Sequence, residues 1–354
     1  MAGPELIDAD QTPTSPVASD TPAPQEPKRK RRKLRLFLLI TGLVLVVLAG
    51  GGALAGVLYV RGVEKSIDKV DAFTEVPAQH RPDKLVAEAM NILLLGSDSR
   101  DPDNTEGSRS DTIILLHLPS DRATAQLISI PRDTWVHVPE SKDGKHGNRD
   151  AKINASFAWG GLPLMVQSVE EFTKVRIDHV VLIDFGGFQQ IVDALGGIDV
   201  DVDQNFTSHH PPYRKFTKGT MHMDGTVALD FARQRKQLAD GDFGRIRHQQ
   251  AVIRAILDKA ASGGLLTNPA GLNSFLKATA NAVAVDKTLS ILDLAPQLRH
   301  LRSDSLAFLT TPTKGTGMVG SESVVFADTT KSKQLYDAVR RDAVREILDK
   351  AKAS

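Results

Sequence analysis

Residues 91–133, NILLLGSDSRDPDNTEGSRSDTIILLHLPSDRATAQLISIPRD, decide how the rest of the chain can fold. Asn91 to Gly96 is a short apolar run ended by glycine, which reads as a buried strand. A polar loop dense in turn formers follows, over residues 97–111. Thr112 to Leu118, TIILLHL, is a second strand rich in isoleucine. Pro119 to Arg122 makes a turn, and Thr124 to Ile130 alternates into a third strand that ends at Pro131-Arg132-Asp133. In an antiparallel meander the first strand ends where the second begins, and the third ends at that same edge. Asp98, Asp111 and Arg132 then meet at one rim of the sheet. Two carboxylates brought together repel each other, and oxygen ligands suit Mg²⁺, Mn²⁺ or Ca²⁺. Aspartates in loops also cap turns routinely. At this point both readings stand open.

Downstream, strands and helices alternate. Lys152-Ile153-Asn154 opens a helical segment, KINASFAWGG, and Pro163 to Thr173 reads as another helix. Phe157 and Trp159 read as core. Asp178 to Asp184, DHVVLID, is a buried strand, with a Gly186-Gly187 break before the helix FQQIVDALGG. Ile198 to Val202 alternates as a strand. Asn205 to Lys218 is a loop whose His209-His210 pair has no third ligand at metal-binding spacing. Leu265 to Ala280 and Leu289 to Leu301 read as helices, Ser305 to Thr310 and Ser323 to Ala327 as strands, and a helix follows from Thr330. Gly315 to Gly320, GTGMVG, matches the dinucleotide pattern, but a strand-like run follows where that fingerprint needs a helix. It reads as a flexible hairpin connection. The fold class is α/β, an α+β-like sandwich with a mixed central sheet covered by helices.

The chemistry concentrates at Ala228 to Gln250, ALDFARQRKQLADGDFGRIRHQQ. A short apolar helical turn leads into Arg233 and Arg235, which point the same way if Arg233-Gln234-Arg235 is extended. After the turn Asp240-Gly241-Asp242, Asp242 has the chemistry of an N-cap for the next helix. On that helix Arg245 and Gln249 share a face that continues into Val252 and Ile256, while Arg247 lies on a solvent face. Several guanidiniums aimed at one place suit phosphate or carboxylate. A structural ion-pair network with Asp230, Asp240 and Asp242 is the other reading.

The N-terminal part is different in kind. Met1 to Pro27 carries six prolines and five acids with little apolar content, and reads as disordered. The basic run KRKRRKLR, Lys28 to Arg35, precedes 25 residues without a charge, Leu36 to Val60. At about 1.5 Å per helical residue that run is long enough for a hydrocarbon core of ~30 Å. Basic residues stay on the cytoplasmic side, so the N-terminus is read as inside and everything after Arg61 as outside. The apolar region is too long for a cleaved signal peptide, which favours an uncleaved signal anchor. Of 44 bases and 43 acids, seven and five precede the span, leaving 37 and 38 beyond it. That balance excludes a nucleic-acid binder, which would show a basic domain. With no cysteine, disulfides and thiolate metal sites are excluded too.

Taken together, NILLLGSDSR, GSRSDTIILLHL, SIPRDTWV, KINASFAWGG, DHVVLIDFGGF, VDALGGIDV, DGTVALDFARQRK and DFGRIRHQQ resemble the LytR-CpsA-Psr family over residues 90–260. The resemblance implies a phosphotransferase on the outer membrane face. Its donor would be a glycopolymer (teichoic acid, capsule or arabinogalactan type) on a polyprenyl pyrophosphate. Its acceptor would be peptidoglycan, joined by a phosphodiester at the 6-hydroxyl of an amino sugar. It further implies that Asp98 and Asp111 hold Mg²⁺ (or Mn²⁺), and that Arg132, Arg233, Arg235, Arg245 and Gln249 clamp the pyrophosphate. Asp242 would order the arginines or hold a water, and Lys152 and Asn154 would help position the substrate. The general base stays open among Asp98, Asp111 and Asp242. Phe231 stands where family members commonly carry tyrosine. The implied organisation is a tail (1–35), a signal anchor (36–60), a stalk (61–89), an extracytoplasmic catalytic domain (90–341) and a helical tail (342–354), with membrane lipid as a further partner. A polyprenyl-pyrophosphate hydrolase and a non-catalytic binder of anionic wall polymers are the alternatives.

Overall fold

The computed structural model describes residues 62, 64–97, 110–261, 267–290, 293–294, 297, 301 and 303–353. The tail and membrane span expected before residue 61, Asp98, and much of the helix expected over residues 289–301 lie outside the described residues. Among the described residues, no helix is long and apolar enough to cross a membrane.

The folded body begins earlier than the sequence suggests. Within the stretch read as a stalk, Asp68–Val70 forms a strand, β1, at the edge of the central sheet, and Val70, Ala72 and Val76 are buried. A three-residue strand is too short to show a hydrophobic period, so only its pairing reveals it. The three apolar runs form β2 (Met90–Ser97), β3 (Ser110–Leu118) and β4 (Ala125–Ser129), in the expected antiparallel meander. Because both faces are covered, they read as continuous apolar runs. Leu93, Leu95, Ile113 and Leu115 enter one core, and Ile92 and Leu118 enter another. Next, β5 (Trp135–Val138) and β6 (Arg149–Lys152) make a separate hairpin. Lys152 therefore closes a strand, and helix α1 (Ala155–Thr173) starts behind Asn154. Gly160 and Gly161 interrupt α1, which restores the two expected helices. Gly161 sits at φ 61°, a left-handed conformation that glycine adopts without steric cost.

Strand β7 (His179–Asp184) lies parallel to β2. Helix α2 (Phe185–Ala194) follows at once, with the Asp184 carboxylate accepting the Gly187 N–H at 2.7 Å. The expected break at Gly186-Gly187 is thus absent. Gly187 serves packing instead, since a Cβ there would lie 2.6 Å from the Ala282 carbonyl oxygen. Two short ribbons follow: β8 (Ile198–Val202) pairs with β11 (Gly219–Met223), and β9 (Phe206–Thr207) with β10 (Lys215–Phe216). With α3 (Gly225–Arg233) and α4 (Asp242–Ala261) they enclose a separate core around Phe216, Phe231 and Val252.

Helix α5 (Pro269–Ala282) leads into β12 (Val283–Asp286), and β13 (Leu306–Thr310) pairs parallel to β4. The mixed sheet therefore runs β1-β12-β7-β2-β3-β4-β13. Strands β14 (Thr313–Val319) and β15 (Glu322–Ala327) form a hairpin, so GTGMVG is a paired strand and its turn rather than a flexible connection. Helix α6 (Thr329–Arg340) covers the same sheet face as α1, and α7 (Val344–Ala353) ends the described chain. The boundary drawn at residue 342 cuts through a working contact. Asp342 accepts from the Ser120 N–H at 2.9 Å and lies 3.0 Å from Nε2 of the buried His117.

Asp286 generates a test of this architecture. It is fully buried at the end of β12, accepts N–H groups from Val180 at 3.0 Å and Thr288 at 2.9 Å, and lies 3.1 Å from His179 Nδ1. Burial alone would raise its pKa, but the bonds from His179, Thr288 and Val180 outweigh burial and hold it at about 2. A carboxyl depressed in this way contributes stability that is present above its unfolded value and lost as pH falls through the folded one. Asp286→Asn should therefore cost about 1–3 kcal/mol at neutral pH. It should also flatten the loss of stability below about pH 4. Urea unfolding across that range measures both effects. A variant as stable as the parent, with the same acid limb, would contradict the assignment.

Candidate active site

Chain connectivity places the charged groups at one rim. β2 ends at Ser97, which pairs with Ser110, and Asp111 stands just inside β3. β4 delivers Pro131-Arg132-Asp133 to the same edge, where Arg132 Nη1 donates to the Asp111 carboxylate. The expected meeting of Asp111 and Arg132 is observed. Asp98 lies outside the described residues.

Helix α4 supplies the second wall. Arg245 and Gln249 fall on its inward face, followed by Val252, Ile253 and Ile256. Together with β2, β3, β7, α2 and α3 this face encloses an apolar cavity of about 280 Å³, with Leu94, Ile114, Ile183 and Phe188 among its lining. Asp111, Arg233, Arg245 and Gln249 also line it, so one hydrophobic cavity carries a cluster of charged and amide groups. Arg233 packs its guanidinium 4.5 Å from the centre of the Phe185 ring. Arg247 is on the solvent side, as its spacing predicts, and pairs with Asp240 and Asp203.

Two expectations need correction. Asp242 is the first residue of α4 rather than a side-chain cap: its carboxylate, 3% exposed, turns to the Arg245 guanidinium and lies 3.7 Å from Arg235 Nε. Arg233 and Arg235 take different neighbours, because Arg233 still belongs to α3. Arg235 leaves the cavity for an adjoining cleft, where its Nη2 is 3.0 Å from Asp133.

Burial sets the electrostatics of the cluster. It raises the pKa of the Asp242 carboxyl against the opposing pull of Arg245, and it lowers the pKa of the Arg245 guanidinium against the pull of Asp242. Arg132 Nε, Arg245 Nε and both Asp242 carboxylate oxygens are buried without a hydrogen bond of ordinary geometry. Unsatisfied buried charge of this kind is costly, and Arg233 and Arg245, which line the cavity, suit a ligand with anionic oxygens.

Lys152 and Asn154 do not join the arginines. They line a polar cavity of about 380 Å³ between β5, β6 and α1, where Lys152 Nζ lies 3.4 Å from Glu322. Trp159 also lines this cavity, rather than being wholly core as expected, with Arg149 4.7 Å from its ring centre. Asp133 lines both the polar cavity and the arginine cleft. The sequence reading missed it. The available signal was its place next to Arg132, in the turn Pro131-Arg132-Asp133-Thr134 closed by the Thr134 N–H donating to the Pro131 carbonyl oxygen.

Among the described residues, no group of three His, Cys, Asp or Glu side chains is arranged to hold a metal ion. The donor chemistry nevertheless fits a hard cation. Asp111 offers carboxylate oxygens beside the convergent arginines, and Mg²⁺ commonly uses one or two carboxylates, with phosphate oxygens and waters completing its shell.

The LytR_cpsA_psr family model matches residues 57–341. The polyisoprenyl-teichoic acid–peptidoglycan teichoic acid transferase TagU of Bacillus cereus is 36% identical over 242 residues, 67% of this chain and 75% of that protein. The corresponding transferase TagV of Bacillus subtilis is 32% identical over 236 residues, 66% of this chain and 59% of that protein. The crystal structure of B. subtilis TagV has a TM-score of 0.61 at 28% identity, covering 73% of this chain and 98% of that one. A model match across most of the folded body, and identity above one third to a relative, settle the assignment: the chain belongs to the LytR-CpsA-Psr family and is a transferase.

Proposed function

We propose that the protein moves a glycopolymer from a polyprenyl-pyrophosphate carrier onto peptidoglycan, forming a phosphodiester to an amino-sugar hydroxyl. The observation that carries this reading is the apolar cavity bearing Arg233, Arg245 and Gln249. A ligand that fills it must be greasy at one end and anionic at the other. A polyprenyl pyrophosphate has both ends, and the names of TagU and TagV point to the same donor and acceptor classes. The hydrophobic run over residues 36–60 would anchor the enzyme, with its catalytic body outside the cell membrane.

The side chains divide the work. Arg245, which lines the cavity, meets pyrophosphate oxygens, Arg233, held on Phe185, adds charge at the same place, and Arg132 stands behind them on Asp111. Asp242 and Asp133 keep Arg245 and Arg235 from swinging away. In the reaction an acceptor hydroxyl oxygen bonds to the phosphorus that carries the polymer as its proton passes to a carboxylate base of the site. The bond from that phosphorus to the bridging oxygen breaks, and polyprenyl phosphate leaves with the electron pair. Charge spreads over the phosphoryl oxygens as this happens, so donors already fixed around them bind the transition state more tightly than the ground state. Bound Mg²⁺ or Mn²⁺, held by Asp111 and Asp98, would supply further neutralising charge at those oxygens.

A labelled lipid-linked polymer, incubated with and without glycan acceptor, tests the reaction. Label should pass to the glycan; release of polymer to water alone would indicate a hydrolase, and no bond cleavage a binder. In this assay Arg245→Ala should lower the transfer rate on the order of 10²–10³-fold. Arg247→Ala, which removes only exposed ion pairs, should stay within about twofold. Equal losses for both folded variants would mean that the helix faces are misassigned.

The cavity itself is tested by size. Ile253→Trp should crowd it and reduce kcat/KM for long-chain donors by about tenfold or more, since overpacking costs ~1–3 kcal/mol. A short-chain donor analogue should be much less affected. Equal sensitivity of both donors would place the lipid elsewhere.

Topology is read by proteolysis. Protease added to intact protoplasts should remove the folded body and spare the segment before Leu36. Protection of the body would overturn the proposed location.

A further inference from the structure

The polar cavity between β5, β6 and α1 has no part in gripping a lipid pyrophosphate, yet it abuts the groups that would. Both of the chain's two tryptophans, Trp135 and Trp159, line it. Around them stand two cations, Arg149 and Lys152, and three carboxylates, Asp133, Asp150 and Glu322. That mixture is wrong for a second anion, which would meet more negative than positive charge. It suits a neutral ligand that carries hydrogen-bond donors and acceptors along its length beside flat apolar faces. The volume, about 380 Å³, admits a sugar-sized body. Asp133 supplies the connection, because its carboxylate also lines the neighbouring cleft, 3.0 Å from Arg235.

We propose that this cavity binds the glycan acceptor, an N-acetylated amino-sugar strand, and that Asp133 receives the hydrogen bond of the hydroxyl directed toward the arginine cleft. The inference rests on the transferase reading given above. It separates the two substrates physically: the donor lies between α4 and the sheet, the acceptor beside Trp159, and the Arg132-Asp133 dipeptide stands between them. Lys152 and Asn154, which the sequence groups with substrate binding, then belong to the acceptor.

The protein carries its own reporter, since all of its indole fluorescence arises in this cavity. The full chain in detergent should show a saturable fluorescence change on titration with a soluble, uncrosslinked glycan strand. Trp159→Ala and Lys152→Ala should each weaken glycan binding and raise the glycan KM by about tenfold. The Kd of a polyprenyl-pyrophosphate analogue should stay within about twofold in both. Lys152 is a partly exposed residue in a loose ion pair, so its variant remains informative if Trp159→Ala does not fold. Absence of a saturable change, or an unchanged glycan KM in the folded variants, would overturn the proposal. So would a response to a phosphate-bearing glycopolymer but not to the neutral strand. Glycan binding that is lost in Trp159→Ala supports the acceptor site even if the parent protein transfers nothing, an outcome that counts against the transfer reaction alone.

Discussion

Everything at the site depends on how charge is buried at the rim of the sheet. Arg132 faces Asp111, Arg235 faces Asp133, and Arg245 faces Asp242, three opposed pairs beside a cavity of aliphatic side chains. Taking an ion out of water costs several kcal/mol, and a partner of opposite sign offsets only part of that. The pair buried on both sides, Arg245–Asp242, is therefore tolerated rather than stabilising. The geometry of the pairs leaves Arg132 Nε and Arg245 Nε open, so the cost is not fully recovered within the chain. An anionic ligand in the cavity would add negative charge beside Arg233 and Arg245. A site held short of its electrostatic optimum until substrate arrives is preorganised for developing negative charge.

The scaffold makes that arrangement possible by covering the sheet unequally. On one face α1 and α6 pack a dense core around Phe157, Met165 and Tyr336. On the other, α2, α3 and α4 gather around their own core, with Phe216 and Phe231 stacked among Phe206 and His248. Because that second group packs on itself, a gap remains between it and β2, β3 and β7. The gap is the apolar cavity. Phe231, the position noted as departing from the family's usual tyrosine, is fully buried in that core, where it makes ring contacts that need no hydroxyl.

The sequence made much of this legible where periodicity carries the signal. β2, β3 and β4 declare themselves as apolar runs, and their antiparallel order brings Asp111 to Arg132 without further assumption. The 3.6-residue period of α4 separates Arg245 and Gln249 from Arg247. Tertiary direction was harder to read. Arg235 and Asp133 are joined only across the gap between α3 and β5, and no local pattern encodes such a contact. Trp159 looked like core because a tryptophan near a helix start usually is, and only the neighbouring hairpin turns its surroundings into a cavity. The glycines were ambiguous for the same reason. Gly187 reads locally as a breaker, but its role is set by a helix nearly a hundred residues away.

The central claim is that one ligand occupies the aliphatic cavity and the arginine cluster at once. A crystal structure of the protein with a polyprenyl pyrophosphate tests it most directly. The account predicts continuous density for the prenyl chain between α4 and β2, with the pyrophosphate against Arg132, Arg233 and Arg245. Density for the lipid anywhere else, with the cavity filled only by solvent, would contradict it.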